Sequence, residues 1–282
     1  MYRIVSKKEL NPTVTQMEIL APLVAGKARP GQFIILRVDE EGERIPLTVA
    51  GVNREDGTVK IIFQIVGETT FRLNRKQEGE EIADFVGPLG RATETDGIRS
   101  VCIVGGGVGC AIALPVAEEF HRLGAKVTSI IGFRSEDLLI LEDEFRAVSD
   151  KLIVMTDDGS YGRHGNVTVP LKEMLEAGEK FDLVLAIGPG VMMKFTALTC
   201  KPFGVPCRVS MNPIMIDGTG MCGGCRLTLT RDGKRVTKFA CVDGPDFNGY
   251  EVDFDEAMSR GRMYFDYERR AHEEVCNLFK NA

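Results

Sequence analysis

The chain has 282 residues, room for two domains or for three if one is a small appendage. Its 44% hydrophobic and 27% charged residues exclude a disordered, collagen-like or bare coiled-coil chain. With 35 Lys and Arg against 41 Asp and Glu, the net charge of −6 argues against a broad nucleic-acid or anionic-membrane footprint and leaves room only for a local basic pocket.

No run approaches the ~18 consecutive apolar residues of a membrane span, and the first eight residues lack the apolar core of a signal peptide. A cytoplasmic protein with no membrane and no nucleic-acid partner is therefore expected. Eight cysteines would be reduced thiols there, so their spacing is read for metal or catalytic use before disulfides.

In chain order, short β-rich runs at 14–20, 32–38, 46–50, 59–66 and 81–86 alternate with turn signals such as Arg29-Pro30-Gly31 and Asn53-Arg54-Glu55-Asp56-Gly57. This predicts an antiparallel barrel or sandwich over 1–97. A continuous apolar strand follows at 101–104, then a helix at 111–123, a strand at 127–132 and a polar helical stretch near 137–148. Next come a strand at 152–155, a helix near 171–177 and a buried strand at 183–187. Strands alternating with helices over 98–206 predict a parallel sheet covered on both faces. After Pro206 the alternation stops. Residues 207–254 carry the clustered cysteines, which reads as a small module stabilised by metal rather than by a large core. A final helix is expected within 255–282. There Val275, Leu278 and Phe279, spaced i, i+3, i+4, form a face that either docks a partner or packs on its own domain.

The strand at 101–104 leads directly into Gly105-Gly106-Gly107-Val108-Gly109. Such a loop is either a tight strand-to-helix turn or a place where bare backbone approaches a pyrophosphate at a helix N-terminus. It departs from G-x-G-x-x-G, because residue 110 is Cys and the next strand ends in Gly132-Phe133-Arg134-Ser135 with no acidic residue. The loops 156–162 and Gly188-Pro189-Gly190 fall where other strands should have their carboxyl ends. Three such loops make a nucleotide crevice the default expectation.

Four residues separate Asp217 from Cys222, two separate Cys222 from Cys225, and Cys241 follows after fifteen more. This is the plant-type [2Fe-2S] spacing C-x4-C-x2-C…C with Asp in the first position. Glycines 218, 220, 223 and 224 let the backbone wrap closely. A structural Zn site with Asp217 as a turn residue is the alternative, and Cys207 competes with Asp217 as the fourth ligand. Cys102 and Cys110 read as small buried apolar residues; Cys200 and Cys276 form no constellation. His121, His164 and His272 show no ligand or triad spacing, so no catalytic acid-base residue is assigned.

A barrel, then a nucleotide domain opening with Gly-Gly-Gly-x-Gly, then a [2Fe-2S] module, resembles the ferredoxin-reductase superfamily over nearly the whole chain. The resemblance is strongest to electron-transfer subunits of dihydroorotate dehydrogenase. The Asp in place of the first cluster Cys, Met211-Asn212-Pro213-Ile214-Met215 and the long C-terminal tail look closer to small subunits of NADH-dependent reduced ferredoxin:NADP oxidoreductases, related to chains called sulfide dehydrogenase subunits.

The resemblance implies FAD, a [2Fe-2S] cluster and NAD(H). In Arg44-Ile45-Pro46-Leu47-Thr48, Arg44 would contact the FAD pyrophosphate and Thr48 lie near the flavin ring, with Pro46 and Leu47 beside them. Ile45 stands where a second Arg is frequent. Gly67, Thr69 and Thr70 match a following FAD segment. Gly105, Gly106, Gly107 and Gly109, then Asp158, Gly159, Gly188 and Pro189, match nicotinamide-nucleotide motifs. Ile187 replaces a frequent Cys, so no catalytic thiol is assigned there. Arg134 contacts a ribose or 2′-phosphate, or pairs with Glu136 or Asp137. Asp217, Cys222, Cys225 and Cys241 would hold the cluster.

Hydride chemistry moves two electrons and a cluster accepts one, which is the physical reason for a flavin between them. Electrons leaving the chain need a destination, and the resemblance makes it a larger flavin and [4Fe-4S] subunit in a heterodimer that handles NADP(H) and ferredoxin by electron bifurcation. Alternatives are a dihydroorotate dehydrogenase, hydrogenase or sulfide dehydrogenase partner, or, in a different class, a zinc-stabilised nucleotide sensor.

Overall fold

The structure, a computed structural model, describes residues 1–263. The first unit comprises β1 (Tyr2–Asn11), β2 (Val14–Leu20), α1 (Pro22–Ala25), β3 (Phe33–Arg37), β4 (Arg44–Asn53), β5 (Thr58–Gln64), α2 (Glu68–Arg75), β6 (Glu81–Ile82) and β7 (Asp84–Leu89). Its strands form one antiparallel sheet in the order β6-β1-β2-β5-β4-β3-β7. Only Ala83 separates the two outer strands, so the sheet must curl until its edges meet, and Ala83 N–H donates to Val38 O. Alternate residues such as Met17 and Ile19, Ile34 and Leu36, and Ile61 and Phe63 fill the interior, as the period of two requires. The strand β1 lay outside the sequence expectation because its Lys7-Lys8-Glu9 run carries little apolar signal. Helix α2 was also unexpected, being short and polar.

The second unit runs β8 (Ser100–Gly106), α3 (Gly109–Arg122), β9 (Lys126–Phe133), α4 (Glu142–Val148), β10 (Lys151–Thr156), β11 (Arg163–His164), α5 (Thr168–Glu176), β12 (Leu183–Ile187), α6 (Gly190–Cys200) and β13 (Cys207–Ser210). The sheet order is β11-β10-β9-β8-β12-β13, all parallel, and a late strand, β16 (Asp246–Asn248), adds an antiparallel edge beside β13. Val101 and Ile103 pack with Phe120 of α3 on one face, while Cys102 and Val104 pack with Leu171 of α5 and Met193 of α6 on the other. Cover on both faces explains why the central strands read as unbroken apolar runs.

The chain then forms β14 (Arg226–Arg231), β15 (Lys234–Phe239), α7 (Ala240–Asp243), β16 (Asp246–Asn248) and α8 (Phe254–Gly261). The expectation that alternation ends at Pro206 needs correction: β13 pairs with β12 and β16 pairs with β13. Both are too short to announce themselves by periodicity. The stretch expected to be helical near 137–148 is two pieces, a 3-10 turn at Glu136–Leu138 and α4 from Glu142, parted by Leu141 in a left-handed conformation with φ 61°. Val275, Leu278, Phe279, His272 and Cys276 lie outside the described residues. One apolar core joins Phe33 and Ile35 of the barrel, Val104 and Val209 of the parallel sheet, and Cys225, Leu227 and Cys241. No helix among the described residues is long and apolar enough to cross a membrane.

Candidate functional site

The chain winds outward from β8 through β9 to β10, then returns to β12 and β13 on the other side. That reversal puts a crevice at the carboxyl ends of β8 and β12, where open parallel sheets bind ligands. A cleft of about 830 Å³ occupies it, lined by Gly106, Gly107, Gly109, Arg134, Gly188 and Pro189 among others. The two glycine loops interlock. A Cβ on Gly109 would stand 2.5 Å from Ile187 O, and one on Gly188, at φ 157°, would stand 3.0 Å from Gly106 O. No side chain fits between them, so bare backbone faces the cleft at the start of the 14-residue helix α3, where backbone N–H groups and the helix dipole favour an anion.

Gly105 serves packing instead: its Cα faces Cys110, whose Sγ would lie 2.9 Å from an added Cβ. Asp158 and Gly159 are exposed and do not line the cleft. Asp158 accepts from Ser160 N–H (2.9 Å) and hydroxyl (2.6 Å), and these bonds hold its carboxyl below the usual carboxylate range. Arg134 is exposed at the end of β9 with no ion pair among the described residues. Asp137 accepts instead from Ser135 (2.5 Å), and Glu136 N–H donates to Ser160 (2.8 Å).

On the barrel, Arg44 opens β4 exposed, and Pro46, Leu47 and Thr48 are half-buried in mid-strand opposite Ile35, Ile34 and Phe33 of β3. Gly67 precedes α2. The Thr70 hydroxyl accepts from Val66 N–H (3.0 Å) and Gly67 N–H (3.1 Å) and donates to Gly67 O (2.9 Å), so it shapes the entry to the helix. Thr69 is half-buried beside it.

The third group forms at the mouth of the β14–β15 hairpin. Cys225 and Cys241 are buried with Sγ atoms 3.1 Å apart. Asp217 Oδ1 accepts from Thr219 N–H (2.9 Å) and Oδ2 from Cys222 N–H (2.8 Å). The Thr219 bond first, then those from Cys222, hold this carboxyl below its usual range. Cys222 is exposed, and Gly224 N–H points at its sulfur at 3.4 Å. Burial, then the Cys225 sulfur, push the Cys241 thiol up to about 12.

The four residues gather as two pairs, Asp217 with Cys222 and Cys225 with Cys241; among the described residues no three such side chains already converge on one point. The donor set nevertheless fits a cationic metal centre. Two thiols and a carboxylate lie on a loop with φ of 75°, 88° and 68° at Gly218, Gly220 and Gly223, the third thiol, Cys241, lies in α7, and a metal would deprotonate the thiols. Cys207, the competing fourth ligand, instead neighbours Cys200 and Cys102 in the core of the parallel sheet.

Residues 212–253 match the iron-sulfur cluster binding domain of dihydroorotate dehydrogenase B. The chain is 49% identical, over 98% of its length and 94% of the relative's, to the "uncharacterized protein in adh 3'region" of Clostridium beijerinckii. It is 46% identical to a dihydroorotate dehydrogenase B (NAD(+)) electron transfer subunit homolog of Thermotoga maritima, over 96% of this chain and 94% of that one. The chain belongs to this electron-transfer subunit family. A solved structure of NADH-dependent reduced ferredoxin-NADP oxidoreductase, reported for its flavin-based electron bifurcation, superposes with a TM-score of 0.90 at 45% identity, covering 98% of each chain. The protein is thus an oxidoreductase subunit of the ferredoxin-reductase type, a flavoprotein fold with an iron-sulfur cluster binding domain.

Several cleft residues of this family member escaped sequence reasoning: Asn166 and Thr168, Met192 and Phe195, Ser210 and Asn212. An Asn-x-Thr turn signal was readable, since Asn166 Oδ1 accepts from Thr168 N–H at 3.1 Å. Pro189 before an apolar run was a readable start for α6. Ser210 was hidden by the boundary drawn at 206, and Asn212 was noted only as part of the 211–215 run, without a place in the cleft.

Proposed function

We propose that this chain is the small electron-transfer subunit of an NADH-dependent ferredoxin:NADP oxidoreductase. It carries electrons between NAD(H), FAD and a [2Fe-2S] cluster and passes them to a larger flavin and [4Fe-4S] subunit that serves ferredoxin and NADP(H) by electron bifurcation. Its similarity to the bifurcating oxidoreductase structure supports this reading, as does the Asp217, Cys222, Cys225 and Cys241 donor set.

One observation carries it. The cluster loop is seated on the barrel: a Cβ on Gly218 would meet Leu89 at 2.6 Å and Ile35 at 3.0 Å. Arg91 donates from Nε to Val242 O (2.9 Å) and from its backbone N–H to Gly244 O (2.7 Å). A cluster held there is adjacent to the flavin-binding unit, as short-range electron transfer requires.

Within that frame each residue's task is binding and orientation. Gly106, Gly107, Gly109, Gly188 and Pro189 bring bare backbone to the dinucleotide diphosphate, and the exposed Arg134 guanidinium supplies a cation to a ribose or phosphate. Arg44 neutralises flavin pyrophosphate charge, while Pro46, Leu47, Thr48, Gly67, Thr69 and Thr70 form the flavin bed. Gly105, Asp158 and Gly159 shape the nucleotide loops from behind. Gly224 N–H stabilises thiolate charge on Cys222. When bound, the flavin supplies the exchange between two-electron and one-electron chemistry.

The test is anaerobic purification with the native partner, followed by flavin, iron and zinc analysis and a visible spectrum. Stoichiometric FAD, two irons in this chain and dithionite-bleached absorption are expected, with a co-purifying subunit that reduces NADP with ferredoxin. A colourless protein containing zinc overturns the redox reading. A partner that oxidises dihydroorotate overturns the bifurcating assignment alone.

A further inference from the structure

Asp246 lies on β16, directly opposite Ser210 of β13 in the antiparallel register. Its Oδ2 accepts from the Thr93 hydroxyl at 2.6 Å, and Thr93 is tied to the barrel through its N–H to Pro30 O at 3.0 Å. The carboxyl therefore sits where barrel, parallel sheet and cluster module meet. Although part of the residue reaches solvent, its Oδ1 is shut away and has no partner among the described residues. Arg208 of β13 is the charged group that faces it. That guanidinium is already committed to Glu94, through the carbonyl O (2.9 Å) and Oε2 (2.8 Å).

A carboxylate oxygen sealed from water with no donor is costly, and such groups take up a proton instead. Burial pushes this carboxyl up, against weaker opposing effects from Thr93, Ser210 and Arg208. Directly opposed residues in an antiparallel pair have Cβ atoms only about 5 Å apart, which puts the Ser210 hydroxyl within reach of a proton on the Asp246 carboxyl. Ser210 in turn lines the cleft.

We propose that Asp246 is a positioning residue, held as a neutral acid whose Oδ1–H donates to Ser210 Oγ and so turns the Ser210 hydroxyl into a donor toward a carbonyl oxygen of the bound ligand. This rests on the cleft's reading as the NAD(H) and flavin site. An ionised Asp246 would do the reverse: it would capture the Ser210 proton and present the cleft with an acceptor. The carbonyl belongs to either the nicotinamide carboxamide or the flavin ring, and the two are separable by experiment.

The test uses the purified complex as wild type, D246N, D246A and S210A. Infrared spectra at neutral pH should contain a protonated-carboxyl band that disappears in both Asp246 variants; its absence from wild type overturns the proposal. D246A and S210A should each weaken ligand binding about fivefold, the loss of one hydrogen bond, whereas the amide of D246N can still donate and restores it. A raised Kd for NAD+ on the FAD-loaded complex identifies the carboxamide, and lost FAD retention identifies the flavin. S210A unchanged in both, or D246N as weak as D246A, overturns the proposal. If wild type binds neither NAD+ nor FAD, the proposed function fails, while the infrared band still decides the carboxyl.

Discussion

Cys225 and Cys241 are sixteen positions apart in the chain, yet their Sγ atoms stand 3.1 Å from one another. The hairpin between them does this. Six residues of β14 pair with six of β15 in unbroken register from Arg226↔Phe239 to Arg231↔Lys234. Asp232 and Gly233 turn the chain with φ of 50° and 73°, the two left-handed residues that a tight hairpin favours. The fifteen-residue gap is thus a ruler made of two strands and a turn.

The ruler can be tested by insertion. One Gly added between Asp232 and Gly233 should leave iron content near wild type, because the strand register survives. One Gly added between Val236 and Thr237 should abolish it, since a one-residue slip sends every following side chain to the other face. Iron per chain after anaerobic reconstitution reads both.

Asp217 is an acceptor for its turn and, in the proposed function, a cluster ligand. Asp217→Cys should keep a [2Fe-2S] centre with an altered potential and EPR signal, and Asp217→Ala should lose most of its iron. A Cys variant with unchanged potential and spectrum would remove Asp217 from the ligand set.

Gly109 and Gly107 should respond differently to alanine. At Gly109 the new methyl strikes backbone, at 2.5 Å from Ile187 O and 2.7 Å from Gly188 Cα. Overpacking of this kind costs about 1–3 kcal/mol, and NAD+ affinity should fall with it. At Gly107 nothing lies within 4 Å and only φ of 55° opposes the change, so a loss of about 1 kcal/mol is expected. Denaturant midpoints and NAD+ titration separate the two.

Asp182 accepts from Arg99 N–H (2.8 Å) and Ser100 N–H (2.9 Å) at the entry to β8. Those bonds, Arg99's first, hold its carboxyl below the usual range. A lowered folded value means that the stabilisation is complete above the unfolded pKa of about 3.9 and is lost as pH falls through the folded one. Wild type should lose stability over that acid window faster than Asp182→Asn, as followed by denaturant midpoint against pH. Parallel curves would show that the carboxylate adds nothing.

The barrel runs at 14–20, 32–38 and 59–66 were legible as short β-rich stretches set between turn signals, and 183–187 because a strand covered on both faces is an unbroken apolar run. The Asp217, Cys222, Cys225 and Cys241 spacing was readable because it is local to one loop and one hairpin. Helix α6 and strands β13 and β16 were not. A four-residue strand has no period to read, and it exists here because Val184 and Phe247 offer their backbones on either side.

By itself the sequence determined the glycine loops, the spacing of the clustered cysteines and the order of three units, since turn chemistry, side-chain period and residue spacing act between near neighbours. Tertiary structure alone decided that Gly109 presses on Ile187, that Gly218 rests on the barrel, and that Asp246 faces Ser210 with an oxygen sealed from water. Those contacts join residues far apart in the chain, and only packing brings them together.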